Sequence, residues 1–186
     1  MAIQFMDNFR QYGGDTSKML DGLPWGSLYA GLANDPDAGA TGKVLQVENW
    51  AVLALPNPSQ QIGVGQRLWM PSLPTASRQP EFVYINGSTA LYTYIVATNG
   101  ALELRRGDRS GPTVATTTVP VLAPNSWFHL EFFVNTNTGY YEARVEGVTV
   151  LTGTDPSGSR PTSPVTIVQW ASQGISITFY IKDLLS

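Results

Sequence analysis

The chain is predicted to be an all-β, two-sheet antiparallel sandwich, and three observations carry that expectation. Residues 126–150, SWFHLEFFVNTNTGYYEARVEGVTV, read as one long hairpin with two differently built faces. Short strand-like runs recur along the chain, each bounded by turn-forming residues, the pattern of a sandwich or closed barrel. No amphipathic stretch of helical period runs longer than a turn or two.

The hairpin is the firmest element. Phe128, Leu130, Phe132 and Val134 alternate with Trp127, His129, Glu131 and Phe133, and beyond the TNTG turn Tyr141, Ala143 and Val145 alternate with Glu142, Arg144 and Glu146. With Asn137 and Thr138 at the tip, Glu131 faces Arg144 and His129 faces Glu146. The outer face then carries complementary charges, while the apolar set points to the core.

The other strand-like runs are Ser27–Leu32, Lys43–Val47, Ala51–Leu55, Gly63–Met70, Phe82–Ile85, Leu91–Ala97, Ala101–Arg105, Val114–Val119, Val165–Trp170 and Ile175–Ile181. In the last, Ile175, Ile177, Phe179 and Ile181 alternate with polar residues and Tyr180, a half-buried strand. NDPDAGATG, PNPSQQ, TNG, RRGDRSGP and TDPSGSRPTSP read as turns. Residues 15–26 and 34–42 read as surface loops. Asn86-Gly87-Ser88 matches a glycosylation sequon but reads as a glycine-containing hairpin turn. No internal repeat is present, and 186 residues suit one domain over 1–186.

Composition narrows the function. Charged residues are 13%, about half the usual share, net charge is -3 and mean hydropathy is -0.06. Arg105, Arg106 and Arg109 share their turn with Asp108 and form no basic patch, which argues against nucleic acid. With no cysteine, neither disulfides nor thiolate metal sites exist. The sequence begins without a basic, then apolar, export signal, and no apolar run is long enough for a membrane helix.

Three places resemble the concanavalin A-like lectin/glucanase superfamily, especially its laminin G-like branch. The opening Phe5-Met6-Asp7-Asn8-Phe9 is similar to the family's N-terminal edge strand. Asn125 to Phe132 looks like its "W-hydrophobic-x-L" strand, with the return from Gly139 to Gly147. The ending Tyr180-Ile181-Lys182-Asp183-Leu184 resembles its terminal strand, with Lys182 replacing an Asp. The resemblance implies a jelly roll of two antiparallel sheets and a repertoire of lectins, glycoside hydrolases and adhesion modules. It also implies a structural calcium between the terminal strands, at Asp7 and Asp183, which Lys182 weakens; no other cofactor is expected.

Catalysis finds little support. Retaining glycosidases need two carboxylates about 5–5.5 Å apart, and the family's E-x-D-x-x-E or E-x-D-x-E string is absent. Glu131, Glu142 and Glu146 cluster, but Glu131 and Glu146 have hairpin partners that favour the charged form. His129 is the only histidine, and no G-x-S-x-G elbow accompanies it. Asn34-Asp35-Pro36-Asp37 offers oxygens to calcium, or forms an ordinary turn.

Sugar binding is the better prospect. Trp127, His129, Glu131, Phe133, Glu142 and Arg144 share the outer hairpin face, and Tyr140 lies at its tip, a mixture suited to a saccharide platform or a protein interface. Trp25, Trp50, Trp69 and Trp170 are assigned to core or sheet-edge packing. The expected function is a non-enzymatic binding and assembly module of a virion, a capsid decoration, head-fibre or tail-fibre subunit of a tailed bacteriophage. Its partners would be other virion proteins or further copies of itself, and a surface glycan. The alternatives are a free lectin, cytoplasmic or unconventionally secreted, and a divergent glycoside hydrolase or polysaccharide lyase.

Overall fold

The computed structural model describes residues 6–7, 25–36, 39–75, 80–156, 158, 160–172 and 179–185, and among these it contains strands and turns but no helix. The strands are β1 (Met6–Asp7), β2 (Trp25–Asp35), β3 (Gly39–Ser59), β4 (Gln61–Trp69), β5 (Pro80–Asn86), β6 (Thr89–Val96) and β7 (Leu102–Arg106). They continue as β8 (Thr113–Thr116), β9 (Trp127–Asn135), β10 (Tyr140–Val145), β11 (Val148–Thr154), β12 (Val165–Ser172) and β13 (Phe179–Leu185).

Hydrogen bonding runs β11-β10-β9-β4-β13-β3-β12-β5-β6-β7-β8, with β1 on β13 and β2 on β3. The long β3 joins two layers. Its first half pairs β13 at Leu45–Val47, and its second half pairs β12 from Trp50 onward. The ends of this path fold face to face. Tyr84 of β5 donates its hydroxyl to the Phe132 carbonyl of β9 at 2.9 Å, and the Tyr94 ring of β6 stacks on Phe132 at 4.5 Å. Phe82 approaches the same ring at 4.8 Å. The chain is thus an all-β jelly-roll sandwich.

The core lies between the layers, where inward positions of each strand meet: Leu45, Leu53, Leu68, Leu130, Phe132, Trp170, Phe179 and Ile181 are all buried. Two polar groups join them, the Trp170 indole donating to Gln66 Oε1. β4 shows why the sequence folds this way, since Ile62, Val64, Gln66 and Leu68 are buried while Gly63, Gly65, Arg67 and Trp69 alternate outward.

The hairpin has the expected register. Arg144 pairs with Glu131, and Glu146 donates its backbone N–H to the His129 carbonyl at 2.8 Å. At the tip the Asn135 carboxamide oxygen accepts from the N–H groups of Asn137 and Thr138, and Gly139 completes the turn at φ +78. Asn86-Gly87-Ser88 is the β5–β6 turn, with Gly87 at φ +60. Of the opening motif, Met6 and Asp7 pair with Leu185 and Leu184 at the sheet.

Several expectations need correction. Lys43–Val47 and Ala51–Leu55 are one strand, because Glu48 and Asn49 bulge out where Tyr29 pairs with Trp50 and Ala30 with Val47. Asn34, Asp35 and residues 39–42 are accordingly in strands, leaving a shorter connection than a 34–42 loop. Pro56 and Pro58 also lie within β3, where the ladder to β12 is interrupted between Ala54 and Ser59 and their missing N–H groups cost nothing. β8 stops at Thr116, because Thr117 turns to bond Leu102 through backbone and side chain. A whole strand, β11, follows β10 across the turn Glu146-Gly147, at φ 50 and 77. Ile175, Ile177 and all of 15–26 except Trp25 and Gly26 lie outside the described residues.

Candidate functional site on the outer sheet face

The outward residues of β9, β4, β13 and β3 line up in rows across the sheet. Trp127 pairs with Trp69, Trp69 with Tyr180, and Tyr180 with Gln46, so alternation places three large aromatic side chains side by side. The next row is basic, His129 with Arg67 and Arg67 with Lys182. Beyond it Glu131 pairs with Gly65 and with Arg144, then Phe133 with Gly63 and with Glu142.

Contacts within the aromatic row fix its geometry. Trp69 and Tyr180 meet edge to face at 5.3 Å. The Trp127 ring is capped by the Lys182 ammonium, 4.0 Å from the ring centroid. Lys182 Nζ also bonds Asp35 Oδ2 at 2.8 Å. The Trp127 indole N–H is buried and has no hydrogen-bond acceptor among the described residues. Trp69, unlike the core residue Trp170, is half-buried and faces outward, so its assignment to packing alone missed its place beside Trp127. The signal was available in the Gly63, Gly65, Arg67, Trp69 alternation.

At the other end of the face Phe133 and Tyr140 pack edge to face at 5.7 Å. Glu142 is a hub: Arg144 Nε donates to it at 2.8 Å, Thr149 Oγ1 at 2.9 Å and the Tyr140 hydroxyl at 3.0 Å. These bonds, that from Arg144 foremost, hold its carboxyl below the ordinary carboxylate range. Arg144 Nη1 lies 3.6 Å from Glu131 as well. Trp127, His129, Glu131, Phe133, Tyr140 and Arg144 therefore do share one face, with His129 nearer the aromatic row and Tyr140 nearer the tip.

Metal ligation has less to work with. Asp7 and Asp183 come to neighbouring register positions through the Asp7–Leu184 pair, and Asp183 is exposed with φ 53. Among the described residues no group of three or more His, Asp or Glu could hold a metal ion, whereas calcium takes about six to eight oxygens. Asp35, from the acidic run, is buried against Lys182. Asp37 and the side chain of Asp7 lie outside the described residues.

Two buried acids lie elsewhere. Asp155 is fully buried, bonded by Arg106 at 2.7 and 2.8 Å and by the Tyr92 hydroxyl at 3.1 Å. Glu81, on the outer face of the second layer, is pushed up to about 7 by burial, against the pull of Arg109 at 3.8 Å. Nearby in sequence to Arg109, Asp108 is held below its ordinary value by hydrogen bonds from Ser110.

No family model matches the chain, and no curated protein sequence does either. Solved structures match its fold. A Bacillus subtilis protein of unknown function with a galectin-like fold aligns with TM-score 0.65 at 14% identity, over 100% of this chain and 95% of that one. A carbohydrate-binding module from Bacillus subtilis aligns with TM-score 0.60 at 10% identity, over 87% and 94%. A sialidase aligns with TM-score 0.69 at 12% identity over 99% of this chain, which spans only 18% of the sialidase's length. The fold is galectin-like.

Proposed function

We propose that the chain is a non-enzymatic carbohydrate-binding module that binds glycan on the outer face of the β9–β4–β13 sheet. One observation carries this reading: Trp127, Trp69 and Tyr180 form a continuous row beside His129 and Arg67, with Phe133, Tyr140, Glu131 and Arg144 on the same face. Sugar rings stack their C–H faces on aromatic surface, and neighbouring polar groups hydrogen-bond their hydroxyls. Because Lys182 covers one side of Trp127, Trp69 and Tyr180 supply the stacking surface and Trp127 supplies the wall. The likeness to a carbohydrate-binding module agrees with this in fold.

The finer proposal is that the module is carried on a virion, with other virion proteins or its own copies as partners. Its support is the 13% charge content, suited to permanent protein contacts. Purified particles should then retain the protein through a 1 M salt wash, where the Debye length is about 3 Å. Finding it only as a free monomer contradicts that part alone.

A glycan array followed by calorimetry tests the binding proposal. Trp69→Ala and Tyr180→Ala should each abolish binding of whatever glycan the native chain retains, while both variants stay folded. A divergent hydrolase or lyase is the second reading, favoured by the raised carboxyl of Glu81. Turnover of laminarin, agar, alginate or mixed-linkage glucan that disappears in Glu81→Gln establishes it; no turnover is expected.

A further inference from the structure

We infer that the sugar recognised on this face bears a carboxylate, received by Arg67 next to Trp69; this rests on the carbohydrate-binding reading above. Arg67 is half-buried in the middle of the face, between His129 on β9 and Lys182 on β13. Its guanidinium makes no hydrogen bond or ion pair with the described residues.

The neighbouring lysine and arginine of this face are committed. Lys182 is 2.8 Å from Asp35, and Arg144 is 2.8 Å from Glu142. The face's acids are committed too. Glu131 and Glu142 belong to Arg144, Glu48 accepts from Gln46 Nε2 at 2.6 Å, and Glu146 accepts from the His129 backbone N–H at 2.7 Å. None of these four carboxylates bonds Arg67. The buried Trp127 N–H is a second donor without an acceptor among the described residues. Buried donors left without acceptors are few in native proteins, which marks the Trp127 N–H, while the half-buried Arg67 guanidinium beside it offers an unpaired positive charge to a ligand's oxygens.

The shape of the donor selects the acceptor. Guanidinium presents a planar fork that matches a carboxylate through two parallel hydrogen bonds, stronger than bonds to a neutral hydroxyl. Arg67 and Trp69 are two residues apart on one strand, hence about 7 Å apart on the same face. A pyranose stacked on Trp69 thus brings an exocyclic carboxylate within reach of Arg67. Uronate and sialate residues both carry one.

Calorimetry on the full chain separates the cases, with trigalacturonate against its methyl ester and 3'-sialyllactose against lactose as probes. At least one acid should bind tenfold or more tighter than its neutral counterpart. Arg67→Ala should remove the acid's advantage, so that the variant binds acid and neutral forms alike, and Arg67→Lys should restore part of the difference. Equal binding of acid and neutral forms by the native chain, or an acid preference that survives Arg67→Ala, overturns the inference while leaving the binding face standing. A sulfated galactan oligomer that binds as tightly as the carboxylates, and loses as much in Arg67→Lys as in Arg67→Ala, overturns the carboxylate assignment. If none of these sugars binds and the array is blank, the carbohydrate-binding reading falls and takes this inference with it.

Discussion

The Tyr94 hydroxyl lies 3.0 Å from the Phe133 carbonyl and 3.0 Å from the Glu142 carbonyl, bridging β9 and β10 from the opposite layer. Its ring meanwhile stacks on Phe132. One buried residue thus ties the second layer to the backbone of the strands that present Phe133 and Glu142 outward. Burial keeps the phenol protonated, pushing it well above its ordinary range. Tyr94→Phe should cost about 1 kcal/mol in urea unfolding, the net worth of one buried hydrogen bond. Tyr94→Ala should cost about 3–5 kcal/mol, since it empties a core site as well.

The two faces of the hairpin should respond differently to truncation. Arg144 and Glu131 are 46% and 41% exposed, so Arg144→Ala should cost no more than about 1 kcal/mol. Phe132→Ala should cost about 3–5 kcal/mol because the ring is almost wholly enclosed. Thermal melts of the two variants side by side check this, and equal losses contradict the assignment of faces.

Much of this was legible from sequence. Strict period-two alternation with charges on one side and apolar groups on the other fixes register, because a one-residue slip would exchange the faces of every side chain. Alternation fails where strands bend. Glu48 and Asn49 look like a break yet are a bulge in β3. β11 was hidden because Val148–Thr154 is an edge strand with only Leu151 buried, so it carries no clean pattern. The site was half legible: the β9 and β10 residues follow from the hairpin, whereas Trp69, Arg67 and Tyr180 join them only through long-range pairing of β4 with β9 and β13.

Breaking the buried Arg106–Asp155 pair should be costly. Asp155 is fully buried, so Asp155→Ala leaves an arginine without its counter-ion and should cost about 3–5 kcal/mol. Glu103→Ala, which removes the partly exposed partner of Arg105, should cost under about 1 kcal/mol. Chemical denaturation of both variants gives the comparison.

Glu81 makes stability depend on pH. Its carboxyl is raised from 4.5 to about 7 in the fold, so the protonated form contributes stability that is fully present below 4.5 and lost as pH rises through about 7. The loss is on the order of 3 kcal/mol. Glu81→Gln should therefore melt above the native protein at about pH 8, with the advantage shrinking to nothing at about pH 4. An advantage that is the same at both values contradicts the raised carboxyl.

The binding face can be mapped without knowing the glycan's function, through the indole N–H resonances of the tryptophans. Titrating the best array glycan into labelled protein should shift the signals of Trp69 and Trp127 on the outer face, while Trp170, enclosed in the core, stays in place. Shifts confined to the strands of the second layer, or none at the outer face with the glycan bound, would contradict the site.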